Sequence, residues 1–167
     1  MTLENRPVRY FLQSLFLKLP EGVLYNRLRN ELGWVYGLQS SFDQSTQTLN
    51  LELSCEIKYI AGIVDEVKKL FSDFTASYDD KKAKILRDMT VKRQEMAQDE
   101  PQILVDFLVE NLTEFGEALS FSEYVKTLAQ IDQAQIKELF DEIGANLDKM
   151  RVVVTSNKPE IQDIAIS

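Results

Sequence analysis

The change of hydrophobic period along the chain is the feature that most constrains its fold. Between residues 48 and 55 apolar and polar residues alternate strictly, which indicates a strand with one buried face. Residues 34–42 just upstream are rich in aromatic and small residues, which indicates a second strand. The short polar connection over residues 43–47 favours an antiparallel hairpin. Around this hairpin, apolar residues recur at the three- and four-residue spacing of amphipathic helices, so we expect an α+β protein.

Two helices are predicted before the hairpin. Asn5 as N-cap and Pro7 in the first turn begin a helix that Pro20 ends. A short second helix follows Gly22, and Gly33 is placed to end it in a left-handed turn. The inward residues of the second helix are Leu24, Tyr25, Leu28 and Leu32.

Most of the chain after the hairpin is predicted to be helical. Residues 60–74 have the strongest amphipathic stripe. Residues 79–98 have a thinner stripe, so we expect that helix at the periphery. A further apolar helix is predicted to start at Pro101. The thinner stripe consists of Ala83, Leu86, Met89, Arg93 and Met96. The apolar residues of the helix after Pro101 are Ile103, Leu104, Phe107, Leu108, Leu112 and Phe115. Capping boxes are predicted for Ser120 with Glu123 and for Asp132 with Gln135, each opening a short helix.

A third strand is predicted over residues 150–155, because the run Val152, Val153 and Val154 is typical of a strand buried on both faces. A sheet that ends on such an apolar strand needs a further neighbour, since an open apolar edge invites association. We therefore expect an additional strand to come from an upstream segment or from a partner chain. No internal repeat or linker divides residues 1–167, which we treat as one domain.

Composition excludes several classes of function. The chain has no histidine, so it cannot by itself build a His-ligated zinc site, a Ser-His-Asp triad or a Cys-His dyad. Its formal net charge of −8 disfavours nucleic acid as a partner. The carboxylates fall where capping or solvation explains them, and no metal site is predicted. Cys55 shares the inward parity of the leucines in its strand, so we expect a structural cysteine. No apolar run reaches the length of a membrane helix, and we expect a cytoplasmic protein.

The segment over residues 24–36 resembles the signature of the non-catalytic half of the pitrilysin and insulinase zinc metallopeptidases, which include the mitochondrial processing peptidase. Leu28 and Arg29 are followed at the family's spacing by Gly33 and Tyr36. The alternative pair at the same separation, Arg27 with Trp34, lacks the phenolic hydroxyl.

The resemblance implies a processing-peptidase-like C-terminal domain, a two-layer α/β sandwich whose mixed, mostly antiparallel sheet is covered by helices. The family's opening strand has no counterpart before the first helix, so the domain is expected to lack one N-terminal strand and to be a piece of a longer chain. It would bind no cofactor itself. Zinc is expected in a sister domain or partner subunit that carries His-x-x-Glu-His.

The resemblance further implies that Arg29 and Tyr36 bind the peptide substrate and assist the oxyanion. Trp34, an aromatic residue beside that cleft, is a further candidate for substrate binding, with ordinary packing as its alternative. On its own the domain is not expected to cleave peptides. Three alternatives stay open. Arg29 and Tyr36 would serve only helix capping and strand packing, the domain would be a purely structural assembly domain of the same fold, or the chain would be an unrelated helix-rich binding protein.

Overall fold

One antiparallel hairpin and a layer of helices on one of its faces make up the fold. In this computed structural model, the described residues are 6–13, 17, 22–43, 46 and 48–156. The strands are β1 (Val35–Asp43) and β2 (Thr48–Cys55). The α-helices are α1 (Arg6–Leu12), α2 (Val23–Tyr25), α3 (Ile60–Ser72), α4 (Phe74–Ser77), α5 (Asp80–Ala97), α6 (Pro101–Phe115), α7 (Phe121–Ala129) and α8 (Gln133–Gly144). A π-helix over Asn26–Glu31 follows α2, and 3-10 turns occupy Ile57–Tyr59 and Leu147–Lys149.

The hairpin has one buried and one exposed face, as the alternating pattern predicts. Leu38 of β1 lies opposite Leu53 of β2, and Phe42 lies opposite Leu49. These side chains pack against the helices, while the polar residues between them are exposed. The predicted antiparallel pairing and the α+β class are therefore confirmed. Among the described residues, β1 and β2 are the whole sheet.

The main core lies between the inner face of the hairpin and the helices. Its fully buried side chains include Leu28 of the π-helix, Leu128 of α7 and Phe140 of α8. The Phe140 ring contacts the rings of Phe71 and Phe74, with centroid separations of 5.4 Å and 5.1 Å. Each such side chain contributes roughly 1.5–3 kcal/mol by leaving water. The π-helix, α7 and α8 thus share one core with the hairpin.

A second, smaller core joins α5, α6 and α7. Its buried residues are Phe107, Phe121, Tyr124 and Val125. The Phe107 ring meets the Phe121 ring edge-on at 5.0 Å, a preferred aromatic geometry. The capping box predicted for α7 at Ser120 is present, and so is the one predicted for α8 at Asp132. Local signals therefore placed these helix starts correctly.

The prediction of a third strand over residues 150–155 is wrong. These residues form neither a helix nor a strand, and Val153 is 87% exposed. Valine favours strands because it packs against neighbouring strands, and a strand needs backbone partners for its own N–H and C=O groups. The described part of the chain supplies no such neighbour to this segment.

Two predicted helix stripes are partly wrong. Ala83 and Leu86 of α5 are buried, but Met89 and Met96 are exposed, Arg93 is exposed, and Thr90 takes the remaining inward position. In α6 Phe107 is buried, while Leu108 and Leu112 are exposed. The predicted N-cap Asn5 and the ends of the first helix pattern, Phe16 and Leu19, lie outside the described residues. No helix in the described ranges is long and apolar enough to cross a membrane.

Candidate functional site

The junction between the π-helix and β1 sets the geometry of the candidate site. The backbone N–H of Leu32 donates to the Arg27 carbonyl at 3.1 Å, and that of Trp34 donates to the Leu28 carbonyl at 2.8 Å. These widened turns end at Gly33, whose φ of 65° lies in the left-handed region that favours glycine. The helix therefore stops abruptly, and its last turn lies beside the start of β1. Widened π-turns of this kind recur at functional sites.

Arg29 reaches from the last helical turn to the first residue of the strand. Its Nη1 donates to the Val35 carbonyl oxygen at 2.7 Å. The side chain is otherwise exposed, and no salt bridge to it is found in the described part of the chain. The guanidinium is thus held next to Tyr36 with further N–H donors available.

Tyr36 is the extra residue of a β-bulge. Val35 lies opposite Cys55 and Gly37 lies opposite Ser54, so two steps along β1 correspond to one step along β2. Bulges re-aim side chains and occur next to active sites. The Tyr36 side chain is 62% exposed, and its hydroxyl donates to Oε1 of Glu56 at 3.4 Å. The phenol is therefore oriented at the surface and open to a ligand.

Trp34 lies half-buried beside these two residues. Its ring stacks on the Tyr59 ring with centroids 5.5 Å apart and planes at 12°. Lys58 covers the Tyr59 ring, with Nζ 4.7 Å from the centroid, and pairs with Glu56 at 2.9 Å. A Cβ at Gly62 would lie 2.8 Å from the Trp34 ring, so the absence of a side chain there lets α3 approach the indole. Trp34 is thus a rigid aromatic surface one residue from the Arg29 contact.

Arg27, the alternative arginine of the signature, is engaged in ion pairs. Its Nε lies 2.9 Å from Oε2 of Glu66 on α3, and its Nη1 lies 2.9 Å from Oε2 of Glu31. Its Nη2 also donates to Oε1 of Glu66 at 3.3 Å, so the pair is bidentate, which is the favoured geometry between guanidinium and carboxylate. Arg27 therefore ties the π-helix to α3, and Arg29 is the arginine available for a ligand.

The ion pair between Arg27 and Glu66 predicts a pH-dependent contribution to stability. The hydrogen bond from Arg27 lowers the pKa of the Glu66 carboxyl, and burial opposes this only in part. A lowered pKa in the folded state adds stability above the unfolded-state pKa of about 4.3, and that stability is lost as the pH falls through the lower folded value. We expect Glu66→Gln to unfold at lower urea concentration than the wild type at pH 7, and the difference to vanish in acid.

Urea midpoints measured from pH 7 to pH 3 test this expectation. Glu52→Gln on the exposed face of β2 is the matched control, because it removes the same charge without touching Arg27. A deficit in Glu66→Gln that stays constant down to pH 3 would mean that the variant disturbs packing and not an ion pair.

The other candidate chemistry in this region is weak. Burial raises the pKa of the Cys55 thiol, which disfavours the nucleophilic thiolate and supports a structural role. Within the described ranges no group of His, Cys, Asp and Glu side chains could hold a metal ion.

The structure brings together the three site residues named from the sequence and adds three neighbours. Arg29, Tyr36 and Trp34 all lie at the junction of the π-helix and β1. The neighbours Glu56, Lys58 and Tyr59 come from the segment after β2, which the bulged register of the hairpin places beside Tyr36. Sequence reasoning missed them, although their position directly after the alternating strand was a usable signal.

Fold and site together define an α+β domain that presents polar and aromatic groups at a helix–strand junction. Comparison with known families gives this class a name. The family model described as the Peptidase M16 inactive domain matches residues 2–86, about half of the chain. The chain therefore belongs to this family, and the resemblance to the non-catalytic half of pitrilysin-type peptidases is confirmed.

A solved structure shares the fold. A conserved protein from Enterococcus faecalis V583 superimposes with a TM-score of 0.65 at 12% sequence identity, over 80% of this chain and 32% of that one. The chain thus spans about a third of the length of that protein. A search of curated proteins found no match.

Proposed function

We propose that this domain binds the peptide substrate of a zinc metallopeptidase, whose zinc is held by a sister domain or partner subunit carrying His-x-x-Glu-His. In this proposal residues 1–167 form one non-catalytic domain. Arg29, Tyr36 and Trp34 contact the peptide. The zinc site elsewhere supplies the activated water, and this chain holds and orients the carbonyl that the water attacks.

One observation carries the proposal. The Arg29 guanidinium donates to the carbonyl of Val35, and the next residue along the strand is the outward-turned Tyr36. The Arg29 guanidinium is therefore fixed at the carbonyl that precedes Tyr36, and both side chains are exposed. Donors fixed in advance stabilise a developing oxyanion best, because they need not reorganise during the reaction.

The hydroxyl of Tyr36 has a weak partner that a peptide can displace. Its contact with Glu56 is 3.4 Å long, at the far end of the hydrogen-bonding range. A peptide carbonyl at a shorter distance would capture the hydroxyl, and Glu56 would keep its ion pair with Lys58. Breaking the hydrogen bond between Tyr36 and Glu56 on peptide binding therefore costs little free energy.

Strand addition gives the peptide a second means of attachment. In the described part of the chain β1 pairs only with β2, so its other edge has unpaired backbone groups. An extended peptide can add to such an edge through main-chain hydrogen bonds. In this proposal the peptide lies along the strand that begins with Val35 and Tyr36.

Trp34 allows a direct test, because it is the only tryptophan of the chain. We expect an unstructured basic peptide of about 15 residues to change its fluorescence saturably, since the net charge of −8 attracts cations. An acidic peptide of the same length should bind more weakly. Arg29→Gln should weaken binding about tenfold, in line with the loss of hydrogen bonds from a charged donor.

The control is Arg151→Gln, which removes one exposed cation outside the site. If no peptide alters the fluorescence at millimolar concentration, or if both arginine variants lose affinity equally, substrate binding at this site is refuted. A structural assembly role of the same fold would then be the better explanation.

A further inference from the structure

The strongest feature outside the site is a reversal of charge between two consecutive helices. Residues 81–93 contain six lysines and arginines and one carboxylate, although the chain as a whole is acidic. Residues 94–125 contain eight carboxylates and no lysine or arginine. The first segment lies on α5, and the second includes all of α6. A strongly cationic helix is therefore followed directly by a strongly anionic one.

Both helices also expose apolar side chains. On α6 Val105, Leu108, Val109 and Leu112 are 40–53% exposed, and their spacing places them on one face. On α5 Ile85 and Met89 lie one turn apart, and Met96 is 75% exposed. Contiguous apolar faces of this kind mark interaction sites in proteins.

The inward faces of the two helices are already occupied. Ala83 and Leu86 of α5 belong to the main core, and Phe107 of α6 belongs to the second core with α7. The exposed apolar residues lie on the remaining, outward faces. They are therefore unused by the packing of the described residues.

The opposite charges of α5 and α6 do not neutralise one another within one copy. Among the described residues the ion pairs that involve these helices are Arg87 with Asp88 and Glu110 with Arg6. Lys84, Lys92 and Arg93 on α5 have no carboxylate partner within salt-bridge distance there, and Asp106 on α6 has only a contact with Gln102. Each helix thus presents a charged apolar face whose complement is present elsewhere on the same chain.

We propose that two copies of this chain associate by packing α5 of each on α6 of the other. The apolar residues of the two faces meet at the centre, and the cations of α5 lie beside the carboxylates of α6. A two-fold arrangement satisfies both contacts at once, because each helix meets the other type. An anionic membrane or nucleic acid fits less well, since the carboxylates of residues 94–125 would be repelled beside the attracted cations.

Reciprocal changes of charge on α5 and α6 test this arrangement on the whole chain. One variant carries Lys84→Glu and Lys92→Glu on α5, and the other carries Asp106→Lys and Thr113→Lys on α6. We expect the wild type to sediment as a dimer at about 100 μM in low salt, and each variant alone to dimerise at least about tenfold more weakly. An equimolar mixture should recover dimers, because α5 of one variant then matches α6 of the other in both contacts. Native mass spectrometry distinguishes the mixed dimer by mass.

Two further variants separate this interface from general effects. Leu108→Gln with Leu112→Gln should abolish the dimer without unfolding, since both side chains are exposed. Lys137→Glu on α8 should leave the dimer intact. A monomeric wild type, dimers that survive the α6 changes, or a mixture that stays monomeric would each overturn the proposal. None of these results bears on peptide binding at Arg29 and Tyr36.

Discussion

We expect Tyr36→Phe to lower the turnover of the enzyme, reconstituted with its zinc-holding partner, by about 100-fold, the usual effect of removing one oxyanion donor. Peptide binding should weaken far less. The ring of Tyr36 is retained, and only the hydroxyl at 3.4 Å from Glu56 is lost. A donor that acts mainly when charge develops on the carbonyl affects kcat more than affinity. Steady-state kinetics on the reconstituted enzyme, with peptide affinity measured by Trp34 fluorescence, separates the two quantities.

Tyr25→Phe is the matched control, because it removes a phenolic hydroxyl from α2, one element before the site. Turnover should then stay within about twofold of the wild type. Equal losses of turnover in both variants would indicate a general effect of the changes on the domain. Unchanged turnover in Tyr36→Phe would remove Tyr36 from the mechanism, whatever its position beside Arg29.

The second large effect is expected in the main core. Phe140→Ala should lower the free energy of unfolding by about 3–5 kcal/mol, the range for a buried phenylalanine cut back to alanine. Phe140 is fully buried and its ring contacts Phe71 of α3 and Phe74 of α4. Its loss leaves a cavity where α8 meets these two helices. Urea unfolding followed by far-UV circular dichroism measures the change.

Val153→Ala serves as the control for this measurement. Because Val153 is exposed, its truncation should change the stability by less than about 0.5 kcal/mol. A loss comparable to that of Phe140→Ala would mean that the valine run packs against another part of the protein. Such a result would favour the predicted strand over residues 150–155.

Much of the fold was predictable because its signals are local. The alternation over residues 48–55 reflects the two opposite faces of a single strand, and the structure has a strand with those bounds. The capping boxes at Ser120 and Asp132 each involve four consecutive residues, and both are present. Gly33 lies in the left-handed region as predicted, because the turn that ends the helix requires it.

Exposure depends on distant partners. The predicted stripe from Ile60 to Phe71 is buried, but two other predictions of burial failed. Leu108 and Leu112 have the spacing of a core stripe, but Phe107 occupies the contact with α7 and leaves them outside. The valine run over residues 150–155 has strand propensity, but the described residues supply no neighbour for it. Apolar periodicity predicts which residues of an element share a face, but it does not predict which other element, if any, packs against that face.

The amino-acid sequence alone determined the starts of α7 and α8, the hairpin, the lack of histidine ligands and the spacing of Leu28, Arg29, Gly33 and Tyr36. These follow from interactions among residues close together in the chain, or from composition itself. The tertiary structure decided that Arg27 pairs with Glu66 while Arg29 holds Val35, and that a bulge turns Tyr36 outward beside Glu56. The ion pair and the bulge require α3 and β2 to lie against the junction, because long-range contacts form only when segments distant in the chain pack together.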